Sequence, residues 1–357
     1  MTTATDFVVS RADLRRAEIH QSQLPALQPG QILIRVDRFA FTANNVTYGA
    51  VGEMIGYWKF FPAGDGWGRI PVWGFGDVVE SKNPALPVGE RVYGYLPMST
   101  HVVLDAAQVT PTGFVDGAAH RAALPPIYNQ YTRCAADPLF TPEREPLIAL
   151  FRPLFATAFL LDDFLAGHKG FGASQLLLSS ASSKTALGLA FLHHARGRTV
   201  LGLTSAANAA FVRDTGYYDR VIDYDHIGEL ASEPTVSVDF AGNGAVLERI
   251  HRHFGERLRY SSQVGITHWE RMSAPADLPG PAPVFFFAPD QLLKRFGEWG
   301  PEEFYRRLGE ATQRFLATTA WLRVVEGRGP AAVERVYAAM VDGRVDPAEG
   351  HVLTLAE

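Results

Sequence analysis

A chain of 357 residues is long for one core, and about two domains is the natural expectation. Its 47% hydrophobic and 20% charged residues describe an ordinary globular protein, and a net charge of only -5, with both signs dispersed, carries no electrostatic footprint for nucleic acid or an anionic membrane. The single cysteine, Cys134, excludes an internal disulfide and any multi-cysteine zinc site; with no apolar stretch of roughly 18 residues and no export signal in the opening segment, the expectation is a cytoplasmic protein.

Runs rich in β-branched and aromatic residues fill the first third: QILIRVDRFAFT at 31–42, IPVWGFGDVVES at 70–81, ERVYGYL at 90–96 and HVVLDAAQVTP at 101–111. Each is bounded by turn residues and reads as a strand, and their close spacing predicts a β-rich barrel or sandwich. Residues 110–144 fit neither half. This insert holds His120, Pro125, Pro126, Tyr128, Asn129, Tyr131, Arg133 and Pro142, and its length without periodicity reads either as a functional loop or as a surface linker. From Glu145 the texture changes. A helical run at 147–164 precedes strands at 176–179, 199–204, 220–224, 236–240 and 258–264, with helices at 185–195, 208–215 and 245–254 between them. That rhythm predicts a parallel sheet with crossover helices. A short segment at 284–287, a charged helical region at 289–323, a helix at 330–341 and a strand at 351–355 complete the chain.

The turn after the first strand of that sheet is the most informative stretch. It reads Ser180, Ala181, Ser182, Ser183, Lys184, Thr185, Ala186, where a dinucleotide-binding protein keeps its glycines. The first amides of a helix point at the ligand, and the helix dipole favours phosphate. Serine amides serve this purpose as glycine amides do, although glycine also supplies room and access to positive φ. Ser183 at the central position holds a phosphate further out or bonds it through its hydroxyl, and Lys184 offers a positive charge. The alternative is an ordinary serine-capped helix after a buried strand.

Several segments, in order, carry a family likeness: LQPGQILIRVDRFAFTANNVTYG, LPVGERVYGYLPMSTHVVL, LFRPLFATAFLLDDFL, VSVDFAGNGAVLERIHRHF, LRYSSQVG and GRVDPAEGHVLTL. The chain resembles the medium-chain dehydrogenase/reductase superfamily, specifically its zinc-free quinone oxidoreductase-like branch. This resemblance implies an α/β architecture: an N-terminal GroES-like β-barrel catalytic domain at 1–144, a Rossmann-like parallel-sheet domain at 145–323 for the cofactor, and a C-terminal return at 324–357 that completes the barrel. It also implies an active site in the cleft between them and a homodimer. Zinc-dependent members carry a Gly-His-Glu segment where this chain has WGFGDVVE, with Phe75 in the histidine's place, and no closely spaced Cys and His set replaces it. The expectation is no metal.

Ligands of such sheets sit at the carboxyl ends of the strands. This singles out the 180–186 turn, with Ser180, Ser182, Ser183, Lys184 and Thr185; then Thr204, Ser205 and Asn208; the 240–243 segment with Gly242; and Val264 with Gly265. Proteins that prefer NAD place a carboxylate at the end of the second strand. None occurs here before Asp214, so NADP(H) is the expected cofactor, with Arg213 either adding charge or standing solvated. On the substrate side, the resemblance points to Tyr48, with Asn44 or Asn45 orienting substrate or nicotinamide. Tyr57, in an aromatic stretch with Trp58 and Lys59, suits a planar apolar substrate. From the insert, His120, Tyr128, Asn129 and Tyr131 are able to donate protons or hydrogen bonds near neutral pH. Ser262, Gln263, Thr267 and His268 flank a strand end near the nicotinamide, and Asp290 is a further pocket candidate. Each aromatic also reads as plain core packing. The leading expectation is a zinc-independent NADP(H)-dependent reductase of a carbonyl, enone or quinone. A lyase, hydrolase or binding protein on the same fold stands as the alternative.

Overall fold

β-branched and aromatic runs bounded by turn residues make the strands of the first third, and continuously buried, largely apolar runs make the short strands of the middle. In a computed structural model, which describes residues 2–240, 242–264 and 277–357, the chain divides into two units, Met1–Leu150 with Arg323–Glu357 and Phe151–Leu322. It begins with β1 (Thr3–Ser10), β2 (Ala17–Gln23) and β3 (Gln31–Phe41), turns through helices α1 (Ala43–Ala50) and α2 (Gly52–Ile55), and continues with β4 (Trp67–Gly68), β5 (Pro71–Ser81), β6 (Arg91–Pro97), β7 (His101–Ala107), β8 (Gly113–Asp116) and β9 (Gln130–Arg133). The strands β3, β5, β6, β9, β8 and β7 pair in that order, and β7 pairs back onto β3 from Gln31↔Asp105 to Arg35↔His101, which closes an antiparallel barrel. Closure leaves these strands no free edge.

Helix α3 (Glu145–Gly167) opens on a partly buried charge network. Glu145 receives the Arg91 guanidinium at 2.7 Å, while Arg91 also reaches Asp77 at 2.9 Å and Asp37 at 2.8 Å, so the first turn of α3 is held against the barrel. The second unit follows with β10 (Gln175–Leu178), α4 (Lys184–His194), β11 (Thr199–Thr204), α5 (Ala209–Asp214), β12 (Arg220–Asp223), β13 (Thr235–Asp239), α6 (Gly244–Phe254), β14 (Leu258–Gln263), β15 (Val284–Phe285), α7 (Ala288–Trp299) and α8 (Pro301–Leu316). All pairings in this sheet are parallel, in the order β12-β11-β10-β13-β14-β15. Counted from its own first strand this is 3-2-1-4-5-6, the order of dinucleotide-binding sheets, and its direction of winding reverses between β10 and β13. Leu177, Leu201, Leu203, Ile222, Val246 and Ile250 form the core of one face. The chain then returns to the first unit through β16 (Arg323–Arg328), α9 (Gly329–Val341) and β17 (Glu349–Thr354), and β17 pairs with β3.

Two expectations need correction, and one pair of strands was not expected. Residues 110–144 are not a loop throughout: β8 and β9 are strands of the barrel wall. Each has four residues, too few to show a period, and their place is set by the Phe114–Tyr131 stack and by Gly94, where any Cβ would collide with the Tyr131 ring. The β1–β2 pair was not visible because Asp6 interrupts the apolar pattern of β1; in the fold it is buried and paired with Arg69 at 2.9 Å and Ser22 at 2.7 Å. The helical region expected at 289–323 is two helices that end at Leu316, and Arg323 instead begins the strand β16, formed by parallel pairing with β17. Elsewhere most limits differ by one or two residues, as helix and strand ends do, while the strand expected at 101–111 stops at Ala107 and the helix expected at 147–164 runs on to Gly167.

Candidate functional site

At the reversal point of the parallel sheet, the ends of β10 and β13 are tied together. The Ser179 hydroxyl bonds the Asp239 carboxylate and accepts the Phe240 amide at 3.0 Å, and both side chains are buried. The next residue, Ser180, adopts φ of +48°, the left-handed conformation that glycine takes most easily. Its amide donates to the Tyr224 hydroxyl at 3.0 Å and its carbonyl accepts the Ser183 amide at 2.8 Å. Ser183 is the N-cap of α4, with its hydroxyl accepting from the Ala186 amide at 3.3 Å. Lys184 and Thr185, both half-buried, form the first turn, whose amides have no acceptor within the helix itself.

Two phenols brace this turn. Tyr218 donates to the Ala181 carbonyl at 2.8 Å, its ring lying where a Cβ on Gly202 would stand 2.9 Å away. Burial pushes the Tyr218 hydroxyl up and holds the Tyr224 hydroxyl up at about 12, so both remain neutral. Beside them the Ser182 hydroxyl accepts from Asn208 Nδ2 at 3.2 Å and lies 3.5 Å from Thr204 Oγ1. The structure therefore gathers Ser180, Ser182, Ser183, Thr204 and Asn208 into one polar patch, with half-buried Ser205 following Thr204. Gly242 follows β13 with φ of +65° and donates to Asp239 at 3.3 Å, and the Val264 amide donates to the Asp239 carbonyl at 2.9 Å. Ser262 is buried, Gln263 is half-buried, and Arg213 and Asp290 are exposed. Gly265, Thr267 and His268 lie outside the described residues.

The first unit holds the second polar constellation. Tyr48 on α1 packs on Tyr57 with ring centroids 4.5 Å apart, and the Tyr57 and Tyr128 hydroxyls are 3.1 Å apart. Three of the expected residues are thus brought together from α1, the 57–59 turn and the insert. Tyr95 of β6 lies at their centre, 4.8 Å from Tyr128, 4.9 Å from Trp73, 5.2 Å from Phe60 and 5.8 Å from Tyr48. Burial pushes all four phenols up, and mutual repulsion of their ionised forms adds to it for Tyr57, Tyr95 and Tyr128. They are neutral hydrogen-bond donors, not bases.

The other expected residues serve different ends. Asn45 is a capping residue: its side chain accepts the Thr42 amide at 2.8 Å and donates to the Pro71 carbonyl at 3.0 Å. Asn44 is half-buried beside Tyr48. His120 is exposed, with Nε2 3.3 Å from the Phe60 carbonyl, and does not join the phenols. Tyr131 donates to the Tyr95 carbonyl at 2.6 Å. Arg121, absent from the expectations, is buried and pairs with Asp116 at 2.8 Å, donates to the Phe60 carbonyl at 3.1 Å and lies 4.4 Å over Phe61. It pins the insert to the aromatic stretch. Phe75 is buried against Tyr93 and Phe140, and among the described residues no group of three or more His, Cys, Asp or Glu is placed to hold a metal.

Tyr95, Trp73, Tyr218, Tyr224 and the Ser179–Asp239 pair were missed by sequence reasoning. Only the tyrosines flanking β12 offered any signal, in GYYDRVIDYD. A closed GroES-like barrel in one unit and a Rossmann sheet in the other define the medium-chain dehydrogenase/reductase fold. CurA from Vibrio vulnificus in complex with NADPH shares it, with a TM-score of 0.64 at 16% identity over 99% of this chain and 99% of its own. So do the yhdH oxidoreductase from Salmonella enterica in complex with NADP (TM-score 0.56, 12% identity, 99% of each chain) and a mutant enoyl thioester reductase from Candida tropicalis (TM-score 0.58, 12% identity, 99% of this chain and 100% of its own). At the level of sequence, residues 39–346 match the family described as "Protein of unknown function (DUF2855)", and the chain belongs to that family. No curated protein matches it.

Proposed function

We propose that this chain is a metal-independent, NADP(H)-dependent reductase of a small conjugated carbonyl, an enone or a quinone. The observation that carries this reading is the helix-opening turn at the reversal point of a 3-2-1-4-5-6 sheet, with hydroxyls and an amide in place of a carboxylate after β11. The turn fits a pyrophosphate in conformation: Ser180 takes the glycine-like backbone angle, and Ser183 caps α4 without covering the rest of its first turn. Thr204, Ser205 and Asn208 would meet the ribose side, and Lys184 would add charge at the phosphates. When bound, the nicotinamide supplies the hydride. Tyr48, Tyr57 and Tyr128 would hold the substrate oxygen and supply its proton, being kept neutral by burial. Phe75 stands where a zinc ligand would, so polarisation of the carbonyl falls to these donors.

Quenching of tryptophan fluorescence by NADPH and NADH tests the reading. Saturation by NADPH at lower concentration than NADH supports it; no saturation at millimolar coenzyme overturns it and favours a second reading, in which the turn takes another phosphate-bearing ligand. The bonds from Tyr224 and Asn208, which already engage the turn, are what speaks for that alternative. Tyr48→Phe and Tyr128→Phe should each lower turnover by on the order of a hundredfold. Unchanged rates in both would remove them as proton donors.

A further inference from the structure

The hydroxyls of the phenol cluster are not equally provided for. Tyr57 and Tyr128 bond each other, the Tyr131 hydroxyl donates to the Tyr95 carbonyl, and Tyr48 lies beside the Trp73 indole N–H and the Asn44 side chain. Among the described residues the Tyr95 hydroxyl has no hydrogen-bond partner, although the residue is 0% exposed. Stranding a hydroxyl away from water is unfavourable, and nearly all buried polar groups in proteins are paired. Phenylalanine would fill the same volume among Tyr48, Phe60, Trp73 and Tyr128 without that penalty. A hydroxyl kept under these conditions points to an acceptor that arrives with a ligand.

We infer that Tyr95 is a substrate-binding residue whose hydroxyl donates to the carbonyl oxygen of a planar conjugated ketone seated among the rings of Tyr48, Tyr57, Trp73 and Tyr128. This rests on the reductase reading for its chemistry but not for its geometry. The ring faces around Tyr95 select a flat, apolar skeleton. Among the described residues no carboxylate belongs to this ring cluster, and its phenols are held neutral, so the recognised group is an acceptor without positive charge. Tyr57 and Tyr128 share a hydrogen bond before any ligand comes, one of the two keeping a proton to donate, whereas Tyr95 gains its first bond only from the ligand. Its contribution therefore falls on affinity for the oxygenated molecule and not on the skeleton.

The test compares wild type and Tyr95→Phe in binding benzylideneacetone and β-methylstyrene, a planar ketone and a hydrocarbon lacking its carbonyl, by fluorescence titration without coenzyme. The expected result is a Kd for the ketone weakened by about three- to tenfold, an unchanged Kd for the hydrocarbon, and a Tm equal to or above wild type, since a neutral hydrogen bond is lost from the complex and a stranded hydroxyl from the free protein. Equal ketone affinity in the two proteins, no saturable ketone binding by wild type, or a lowered Tm would each overturn the assignment. NADPH oxidation is followed separately. A wild type that binds the ketone with the expected Tyr95→Phe loss but never oxidises NADPH sinks the reductase reading and leaves the Tyr95 assignment in place.

Discussion

Ser180→Gly isolates what a serine costs at the head of the phosphate turn. The residue sits at φ of +48°, where an L side chain brings its Cβ against the backbone, a cost of roughly 1–2 kcal/mol. Glycine removes that strain but enlarges the unfolded ensemble, giving back about 0.4–1 kcal/mol. Among the described residues the Ser180 hydroxyl makes no hydrogen bond, while the amide to Tyr224 and the carbonyl to Ser183 belong to the backbone and survive the change. The balance is a stabilisation of roughly 0–1.6 kcal/mol. For a domain of this size each kcal/mol moves Tm by about 2–4 °C, so the variant should melt as high as wild type or up to about 6 °C higher by calorimetry. The added room at the turn should also leave NADPH affinity equal or tighter. A fall in Tm would refute the reasoning, because it would mean that the side chain relieves the backbone angle and does not suffer from it.

Ser205→Asp places a carboxylate after β11 and should weaken NADPH by about tenfold or more relative to NADH in fluorescence titrations; an unchanged ratio would show that the 2'-phosphate does not lie there. Arg121→Met should destabilise by about 3–5 kcal/mol in urea unfolding, because Asp116 is left charged and buried, and adding Asp116→Asn should recover most of the loss. Burial holds the His251 imidazole below its ordinary value, so the unfolded chain takes up the proton first. Stability is then full above about pH 6.5 and declines below it, with a shallower decline in His251→Gln, as urea midpoints across that range would report. At the alkaline end the phenols of Tyr48, Tyr57, Tyr95 and Tyr128 are raised in the fold, so their contribution is complete below about pH 10 and is lost above it.

The pattern of hydrophobic residues determined the class of each unit on its own. The β-branched and aromatic runs at 31–42 and 70–81, bounded by turn residues, and the strand-helix rhythm from Glu145 onward are local properties, and each became the kind of element its composition dictates. The 180–186 turn was legible for the same reason: a cap, a helix and the strand before it are adjacent in sequence, so Ser183 as N-cap follows from residue types alone. Tertiary structure decided what depends on distant partners. Asp6 in β1 reads as an interruption until Arg69 and Ser22 reach it, and β8 and β9 read as loop until the Tyr131 ring finds the space over Gly94. Likewise Tyr48, Tyr57, Tyr95 and Tyr128 are spread across eighty residues of chain. Only closing the barrel makes them one cluster, because ring packing and hydroxyl pairing are set by through-space distance, which no local sequence pattern encodes.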